Sequence, residues 1–402
     1  MDRAGAGVID LLFLAHRVPF PPDRGDRIRS FHVLRHLSAH ARIHLYAFAD
    51  PGDPVAPSPA LRSLTASCTI VPRRNGLARA TVEALATGRP VSLVAWDDAA
   101  MHRALAAAPE TAATYCFSGQ MAQYAPNGTP LFMDFVDVDS AKFAQLGREG
   151  ALPLRPLYQR EARLLGRWEH DVARRAAASL FVTAAEAELF QDRGGPGRVT
   201  VVENGIDAAV FDPSAPMATL PDQGPLIVFT GQMDYAPNVE AVRWFARHIL
   251  PAIRRRHPAA RFAVVGRAPA ASVQALAREP GIVVTGEVAD VRPWLAAATV
   301  CVAPLRLARG VQNKVLEAMA MARPVIASPA AAEGIDHRGT ITVAAGARRW
   351  VQAVGAALDA TAGTDPAAMQ ARAVTLNRYD WAARLQPLDR LLGLELAKRA
   401  AA

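Results

Sequence analysis

The sequence predicts an α/β protein of two Rossmann-like domains that face each other across a cleft. At 402 residues, 51% of them hydrophobic, the chain can form two buried cores of ordinary size. Short apolar runs alternate with amphipathic stretches in both halves, which is typical of βαβ units with a parallel sheet covered on both faces. Residues 212–225, between the halves, are rich in Pro, Asp and Gly, as expected for a linker.

The first half begins with an apolar run that predicts a strand over residues 8–15. This run lacks a basic region before it and a cleavage site after it, so it is interpreted as a strand and not as a signal peptide. Further strands are predicted over residues 43–48, 68–71, 114–117, 130–135 and 179–182. Helices are predicted over residues 27–40, 158–178 and 184–191.

The second half repeats the alternation. Strands are predicted over residues 226–230, 260–265, 282–285, 300–304 and 325–328. Helices are predicted over residues 239–256, 273–278, 291–298, from about 311 to Pro324, 350–358 and 381–399. We therefore predict a first domain over 1–207, a linker over 208–225 and a second domain over 226–379, with a helix at about 380–400 packing back on the first domain.

Charge and cysteine content narrow the classes of function. The net charge of +8 comes from residues 221–402, which carry 22 Lys and Arg against 14 Asp and Glu. This excess suits an anionic small ligand such as a nucleotide diphosphate, whereas no nucleic-acid recognition motif is present. The three cysteines are scattered without metal-binding spacing, which indicates a reducing, cytoplasmic location. No run of 18 apolar residues predicts a membrane span.

The segment 303–328, APLRLARGVQNKVLEAMAMARPVIAS, is the most informative part of the chain. It contains Lys314, one of only three lysines, and places Arg306, Arg309 and Gly310 just before a predicted helix that begins near Val311. Cations at the positive end of a helix are unfavourable unless an anion lies among them. Backbone N–H groups, a glycine and basic side chains at a helix start together predict a phosphate site.

Glu317 lies one helical turn after Lys314 on the same face. Its carboxylate would accept hydrogen bonds from ribose or sugar hydroxyls. The alternative is a surface ion pair between Lys314 and Glu317 at i,i+3 spacing.

An ordered set of motifs resembles group 1 (family-four) glycosyltransferases. The motifs are residues 17–32 (RVPFPPDRGDRIRSFH), 133–140 (MDFVDVDS), 203–207 (ENGID), 230–245 (TGQMDYAPNVEAVRWF), 264–267 (VVGR), 284–290 (VTGEVAD) and 303–328. Within this family the chain is most similar to the sugar transferases of PEP-CTERM, exosortase and exopolysaccharide gene clusters.

The resemblance implies a GT-B fold in which the first domain binds the acceptor and the second binds the nucleotide-sugar donor. It implies a retaining transfer that needs no metal or other cofactor, because basic side chains and a helix N-terminus neutralise the leaving diphosphate. The implied partners are a nucleotide sugar and a glycan or lipid-linked acceptor. The implied location is the cytoplasm, with possible peripheral association with the inner membrane.

Several donor-site residues follow from the resemblance. Glu317 matches the second glutamate of the E-x7-E signature, whereas the first falls at Arg309, so the usual sugar-positioning carboxylate is absent. The loop that begins at Gly231 lacks the family's usual cations. The residues expected to hold the diphosphate are Arg267, Arg306, Arg309 and Lys314, with Gly310 and Val311 at the helix start. The backbone of Gly286 and Val288 is expected to frame the nucleobase.

On the acceptor side, Gly25 and Asp26 match the family's glycine-rich loop, or else mark a simple helix start. Asp134, at the end of a strand, is predicted to contact the acceptor hydroxyl, or else to cap a loop. Arg24, Arg27 and Arg29 would hold an anionic acceptor, or form a solvated face. His16 either faces the cleft or is structural.

Two other functions are compatible with this pattern. A nucleotide-sugar 2-epimerase uses the same pair of domains but requires no acceptor. A non-catalytic protein that binds nucleotide sugar or glycan for the polysaccharide assembly machinery is favoured by the loss of the first signature glutamate at Arg309.

Overall fold

The chain divides into two compact units. The first runs to Asn204 and resumes at Arg384, and the second spans Gly205–Ala383. The computed structural model describes residues 9–22, 24–74, 76–149, 152–221, 224–308, 311–360 and 365–400, without the side chains of 394–400.

The first unit is built on a parallel sheet with strand order β3-β2-β1-β4-β5-β6-β7. Each pair of neighbouring strands is parallel. The strands are β1 (Ile9–Ala15), β2 (Ala41–Ala49), β3 (Ser67–Pro72), β4 (Ala113–Phe117), β5 (Leu131–Val136), β6 (Ala178–Phe181) and β7 (Val199–Val201).

Helices of the first unit connect these strands. They are α1 (Gly25–Ser38), α2 (Pro59–Leu64), α3 (Leu77–Thr87), α4 (Val91–Val94), α5 (Ala99–Ala106), α6 (Asp139–Glu149), α7 (Arg155–Arg175) and α8 (Ala184–Asp192). Two 3-10 turns, Gly119–Tyr124 and Leu152–Leu154, complete the set. The continuous apolar runs of β1 and β4 are buried on both faces because helices cover both sides of the sheet.

The second unit contains a parallel sheet with strand order β10-β9-β8-β11-β12-β13. Its strands are β8 (Leu226–Thr230), β9 (Arg261–Val265), β10 (Ile282–Gly286), β11 (Val300–Ala303), β12 (Val325–Ala327) and β13 (Thr342–Val343). Numbered within its unit, the second sheet follows the order 3-2-1-4-5-6 of the Rossmann fold, and the first sheet follows the same order with a seventh strand at its end. The predicted class, α/β with two Rossmann-like domains, is therefore confirmed.

Helices of the second unit pack on this sheet. They are α9 (Ala236–His248), α10 (Leu250–Arg256), α11 (Ala271–Gln274), a 3-10 turn (Ala275–Arg278), α12 (Arg292–Ala297), α13 (Asn313–Ala320), α14 (Pro329–Ala332), α15 (Gly346–Asp359) and α16 (Pro366–Arg378). An aromatic cluster anchors one face of the unit: the ring of Phe245 lies 4.6 Å from that of Phe262 and 6.1 Å from that of Trp350. The contact of Phe245 with Trp350 is edge-to-face, and such contacts stabilise the core beyond the burial of apolar area.

The strand predictions hold closely where the apolar run is bounded by turn residues. β8 spans residues 226–230 as predicted, whereas the single helix predicted over 239–256 is two helices, α9 and α10. The interruption has a local cause, because Pro251 cannot continue a helix but is accepted in the first turn of a new one. The short edge strand β13 was not predicted, since both of its residues are exposed.

The last helix, α17 (Trp381–Ala400), contributes most of its length to the first unit. Nε2 of His36 in α1 lies 2.6 Å from Oδ1 of Asp389, and Arg384 forms an ion pair with Glu203. The segment after Asn204 belongs to the second unit, where the Ile206 amide donates to the Tyr379 carbonyl. Among the described residues, no helix is both long and apolar enough to cross a membrane.

Candidate functional site

In the second unit, the strand order reverses between β8 and β11, and ligands of such sheets bind at the carboxyl ends of the strands at this point. Gly231 follows β8 with a φ of +154°, and Gly266 follows β9 with a φ of +149°. A Cβ on Gly266 would lie 1.8 Å from the carbonyl oxygen of Gly231. Both positions therefore exclude larger residues, and bare backbone is exposed where a ligand would approach.

Lys314 lies above this backbone, at the second residue of α13. Its Nζ donates to Oδ1 of Asn238 (2.6 Å) and lies 4.5 Å from the ring centroid of Phe229. A Cβ on Gly231 would lie 3.2 Å from the same Nζ. The Lys314 ammonium group, the start of α13 and the Gly231 backbone therefore lie together, an arrangement that suits a phosphate.

The Lys314 ammonium group is largely buried, and the acidic group that affects its pKa is the carboxylate of Glu317. Burial lowers the pKa of its ammonium group to about 8, and the carboxylate of Glu317 opposes this shift. No carboxylate in the described part of the chain forms an ion pair with Lys314. A phosphate at this position would supply the missing counter-charge.

Asn238 is a site residue that the sequence analysis did not identify. It is 5% exposed, lies in the first turn of α9, and donates from Nδ2 to the carbonyl of Gln232 (2.8 Å). That bond fixes the amide so that its oxygen faces Lys314. The signal available in the sequence was only its position, seven residues after Gly231, near the start of the first helix of the unit.

Glu317 lies one turn further along α13 and is half-buried. Burial raises the pKa of its carboxyl to about 7, against the opposing effect of Lys314. Within the described ranges its side chain has no hydrogen-bond partner. The alternative of a direct Lys314–Glu317 ion pair is wrong, because the two groups interact only at longer range.

The predicted arginines lie further out. Nη2 of Arg267 is exposed and donates to Oε1 of Gln232 (3.1 Å), and Nη1 of Arg306 pairs with Oε1 of Glu240 (3.0 Å). Arg309 and Gly310 lie outside the described residues, so their roles stay predictions.

The remaining predicted donor residues lie along the same sheet edge. Gly286 ends β10 with a φ of +68°, and its carbonyl accepts from the amide of Gly266 (3.2 Å). Val288 and Val311 pack against the core of the unit. Their proposed contacts with a nucleotide stay predictions.

In the first unit, the strand order reverses between β1 and β4. His16, the residue after β1, is 6% exposed, and its ring stacks on Phe117 and meets Trp96 edge-on. Its Nε2 lies 2.8 Å from Nη1 of Arg17 and 3.2 Å from Oδ2 of Asp26. Nδ1 is buried without a partner among the described residues. Burial lowers the pKa of this imidazole, which favours its neutral form.

Asp26 organises the surrounding cations. It accepts from Nη1 of Arg17 (2.7 Å) and forms an ion pair with Nε of Arg24 (2.8 Å). Burial alone would raise its pKa, but the contacts with His16, Arg17 and Arg24 hold it well below the usual range. Gly25, which begins α1, has open space where a Cβ would lie.

The contacts of Asp134 do not support the prediction that it touches the acceptor, which stays a prediction. Asp134 is 0% exposed, and its carboxylate accepts from Nε (2.8 Å) and Nη2 (3.1 Å) of Arg29 and from the hydroxyl of Tyr115. Arg29 also donates to the Val202 carbonyl (2.8 Å) and to Asn204 (3.0 Å). This buried network connects α1 to β5 and to residues 202–204, which follow β7.

The prediction that Arg24, Arg27 and Arg29 hold an anionic acceptor is also not supported by their contacts. Arg27 pairs with Asp53 (2.5 Å), while Arg24 and Arg29 pair with the carboxylates already named. Each of the three guanidinium groups therefore has a carboxylate partner within the first unit.

The comparison with protein families gives a match that lies within the second unit. Residues 224–360 match the family described as Glycosyl transferases group 1. The matched range contains Gly231, Lys314 and Glu317, and so includes the candidate site. No curated protein sequence matches the chain.

Solved structures establish the fold. The chain is similar to sucrose-phosphate synthase from Thermosynechococcus elongatus, with 18% identity, a TM-score of 0.63, and coverage of 97% of this chain and 100% of that one. It is similar to WaaG, a glycosyltransferase of lipopolysaccharide biosynthesis, with 17% identity, a TM-score of 0.62, and coverage of 96% and 100%. Anabaena HepE in complex with UDP and glucose gives 15% identity, a TM-score of 0.58, and coverage of 96% and 99%. The fold is that of the GT-B glycosyltransferases.

Proposed function

We propose that the protein is a retaining glycosyltransferase that moves a sugar from a nucleotide diphosphate to a glycan or lipid-linked acceptor. The observation that carries the proposal is the half-buried Lys314 ammonium, held by Asn238 over the bare backbone of Gly231 at the strand-order reversal of the second unit. The group 1 match over this region and the complexes of HepE with UDP, glucose and UDP-glucose support it.

Lys314 acts on the leaving group in this proposal. At pH 7 the ammonium group is mostly protonated because its pKa of about 8 lies above the ambient pH. The diphosphate gains negative charge as the bond to the sugar breaks, and a positioned cation stabilises that charge. Backbone N–H groups at the start of α13 add a partial positive charge directed at the same oxygens.

Glu317 is assigned to the ribose. Two hydroxyl donors would stabilise the carboxylate form and lower its pKa from about 7, so binding and ionisation are coupled. Lys314 and Glu317 are three residues apart in α13, which places phosphate and ribose contacts on one helix face.

The acceptor is assigned to the first unit, at the end of β1. There His16 offers a buried, unpartnered Nδ1 beside the aromatic surfaces of Trp96 and Phe117. In the transfer, the acceptor oxygen forms a bond to the anomeric carbon on the face from which the diphosphate leaves. The acceptor proton passes to the departing phosphate oxygen, so no separate general base and no metal are required. We further propose that the reaction belongs to bacterial exopolysaccharide assembly at the cytoplasmic face of the inner membrane, as the resemblance implies.

Turnover with a panel of UDP- and GDP-sugars tests this function. Wild type and the control Lys142→Ala are expected to release nucleoside diphosphate slowly without acceptor. A glycan or polyprenyl-phosphate-linked acceptor is expected to accelerate this release. Lys314→Ala is expected to show neither the slow release nor the acceleration. The anomeric configuration of the product, read by NMR, tests retention.

The same incubation separates the alternatives. Interconversion of the donor sugar in the absence of any acceptor would indicate a 2-epimerase. Binding of nucleotide sugar with no product from any acceptor would indicate a non-catalytic binding protein.

A further inference from the structure

A cluster of metal-ligating side chains lies in the first unit, away from the strand ends described above. His36 in the last turn of α1 and His40 just beyond it meet Asp389 of α17. One ligand atom from each of the three lies within 4.8 Å of the other two. Nε2 of His36 is 2.6 Å from Oδ1 of Asp389, and the two imidazole rings are 5.6 Å apart at 63°.

The spacing and chemistry of the cluster match a metal site. The chain turns just after α1, and this turn brings the His40 ring within 5.6 Å of the His36 ring. Two imidazoles and one carboxylate are ligands that zinc accepts, with one position left for water. Tetrahedral zinc holds neighbouring ligand atoms about 3.3 Å apart, and the ligand atoms here lie within 4.8 Å of one another, so binding requires side-chain rotation.

The position of the cluster in the fold also favours a cation. The carbonyl groups at the end of α1 carry the negative end of the helix dipole. A divalent ion among these side chains would therefore be stabilised both by its ligands and by the helix. His102, by contrast, pairs with Asp97 (3.0 Å), and the described residues bring no second imidazole to that pair.

We propose that His36, His40 and Asp389 bind one divalent transition-metal ion, with zinc as the expected occupant, and that the ion holds α17 against α1. The three ligands come from segments 353 residues apart at their widest, so the ion cross-links the final helix to the start of the chain. This proposal is independent of the proposed transfer reaction, in which the ion has no part.

Metal titration of the full-length, tag-free, chelator-treated protein tests the site. Calorimetry with ZnCl2 is expected to show one equivalent bound, and Co²⁺ to give the visible absorption band of a tetrahedral N/O site. His40→Ala is expected to weaken binding at least tenfold, while His102→Ala leaves it unchanged. His40 is exposed, so its removal does not threaten folding.

Amide hydrogen exchange tests whether the bound ion stabilises α17. Zinc is expected to slow exchange of the α17 amides between residues 381 and 393 in wild type but not in His40→Ala. Absence of saturable zinc binding below 0.1 mM, or equal binding by wild type and His40→Ala, would overturn the proposal. So would zinc binding that leaves exchange in α17 unchanged.

Discussion

The side chain of Lys314 links the sequence to the candidate chemistry. The chain has only three lysines among its 45 Lys and Arg residues, so a lysine near the start of a predicted helix was noticeable in the sequence. Its partner Asn238 could not, because the contact joins residues 76 positions apart and depends on how α9 packs beside β8. The same limit applies to Asp134: the sequence predicted that it lies in a strand, but its contact with Arg29, 105 residues away, depends on tertiary packing.

The scarcity of lysine makes the pKa of Lys314 directly measurable. In protein with isotope-labelled lysine, we expect one of the three Nζ signals to titrate near pH 8, because burial disfavours the ammonium form. Addition of a bound nucleoside diphosphate should raise this pKa, since an adjacent anion favours the charged form. Lys314→Arg assigns the signal. A Lys314 pKa that does not respond to a bound diphosphate would contradict the assigned contact.

Glu317 predicts a pH dependence of stability. Its pKa is about 7 in the folded state against an ordinary value of 4.5, so between these values the folded state binds more protons than the unfolded state. The free energy of unfolding contributed by this group therefore falls as pH rises from about 4.5 to 7. In urea denaturation at pH 5.0 and pH 7.5, wild type should lose more stability than Glu317→Gln. Parallel losses in the two proteins would show that the carboxyl is not perturbed.

At the scale of elements, the contact between the ends of β8 and β9 defines the backbone of the site. Gly266→Ala should destabilise the protein by about 3 kcal/mol or more, because a left-handed φ and a 1.8 Å clash with the Gly231 carbonyl act together. Gly286→Ala is the matched control. It also has a positive φ but no atom within 4 Å of the added Cβ, and should cost about 1–2 kcal/mol. Equal costs in denaturant unfolding would contradict the close approach.

The buried pair of Arg29 and Asp134 is an element-scale feature because it joins α1 to β5. Asp134→Leu should destabilise the protein by about 3–5 kcal/mol, since it leaves the Arg29 guanidinium buried without its carboxylate. Arg29→Met combined with Asp134→Leu should recover much of that loss, as measured by urea unfolding. If the double variant is no more stable than Asp134→Leu alone, the pair is not the origin of the cost.

The element predictions succeeded where local signals were strong. The apolar run of residues 226–230 is bounded by proline and glycine, so its limits are visible in the sequence, and residues 300–303 form the predicted strand. The helices α3, α5 and α6 were not predicted, because they contain many small or charged residues and few buried ones. Their existence depends on packing against the sheet, which propensity alone does not indicate.

For the whole molecule, the sequence predicted two Rossmann-like halves because βαβ alternation appears twice. The structure then gives both sheets the strand order 3-2-1-4-5-6, with a seventh strand added in the first. It also placed the charge excess in residues 221–402, which include the candidate phosphate site. The identity of the sugar and of the acceptor is not encoded in this pattern, since those contacts depend on a few side chains brought together by loops.

Calorimetric titration of UDP, GDP, ADP and dTDP into wild type, Lys314→Ala and Lys142→Ala tests the central claim, that the second unit binds a nucleoside diphosphate through Lys314. We expect one base to bind wild type and Lys142→Ala alike, with affinity at least tenfold weaker in Lys314→Ala, as for loss of a charge-assisted hydrogen bond worth about 1.5–3 kcal/mol. No binding of any diphosphate at millimolar concentration, or equal binding by Lys314→Ala, would contradict the account.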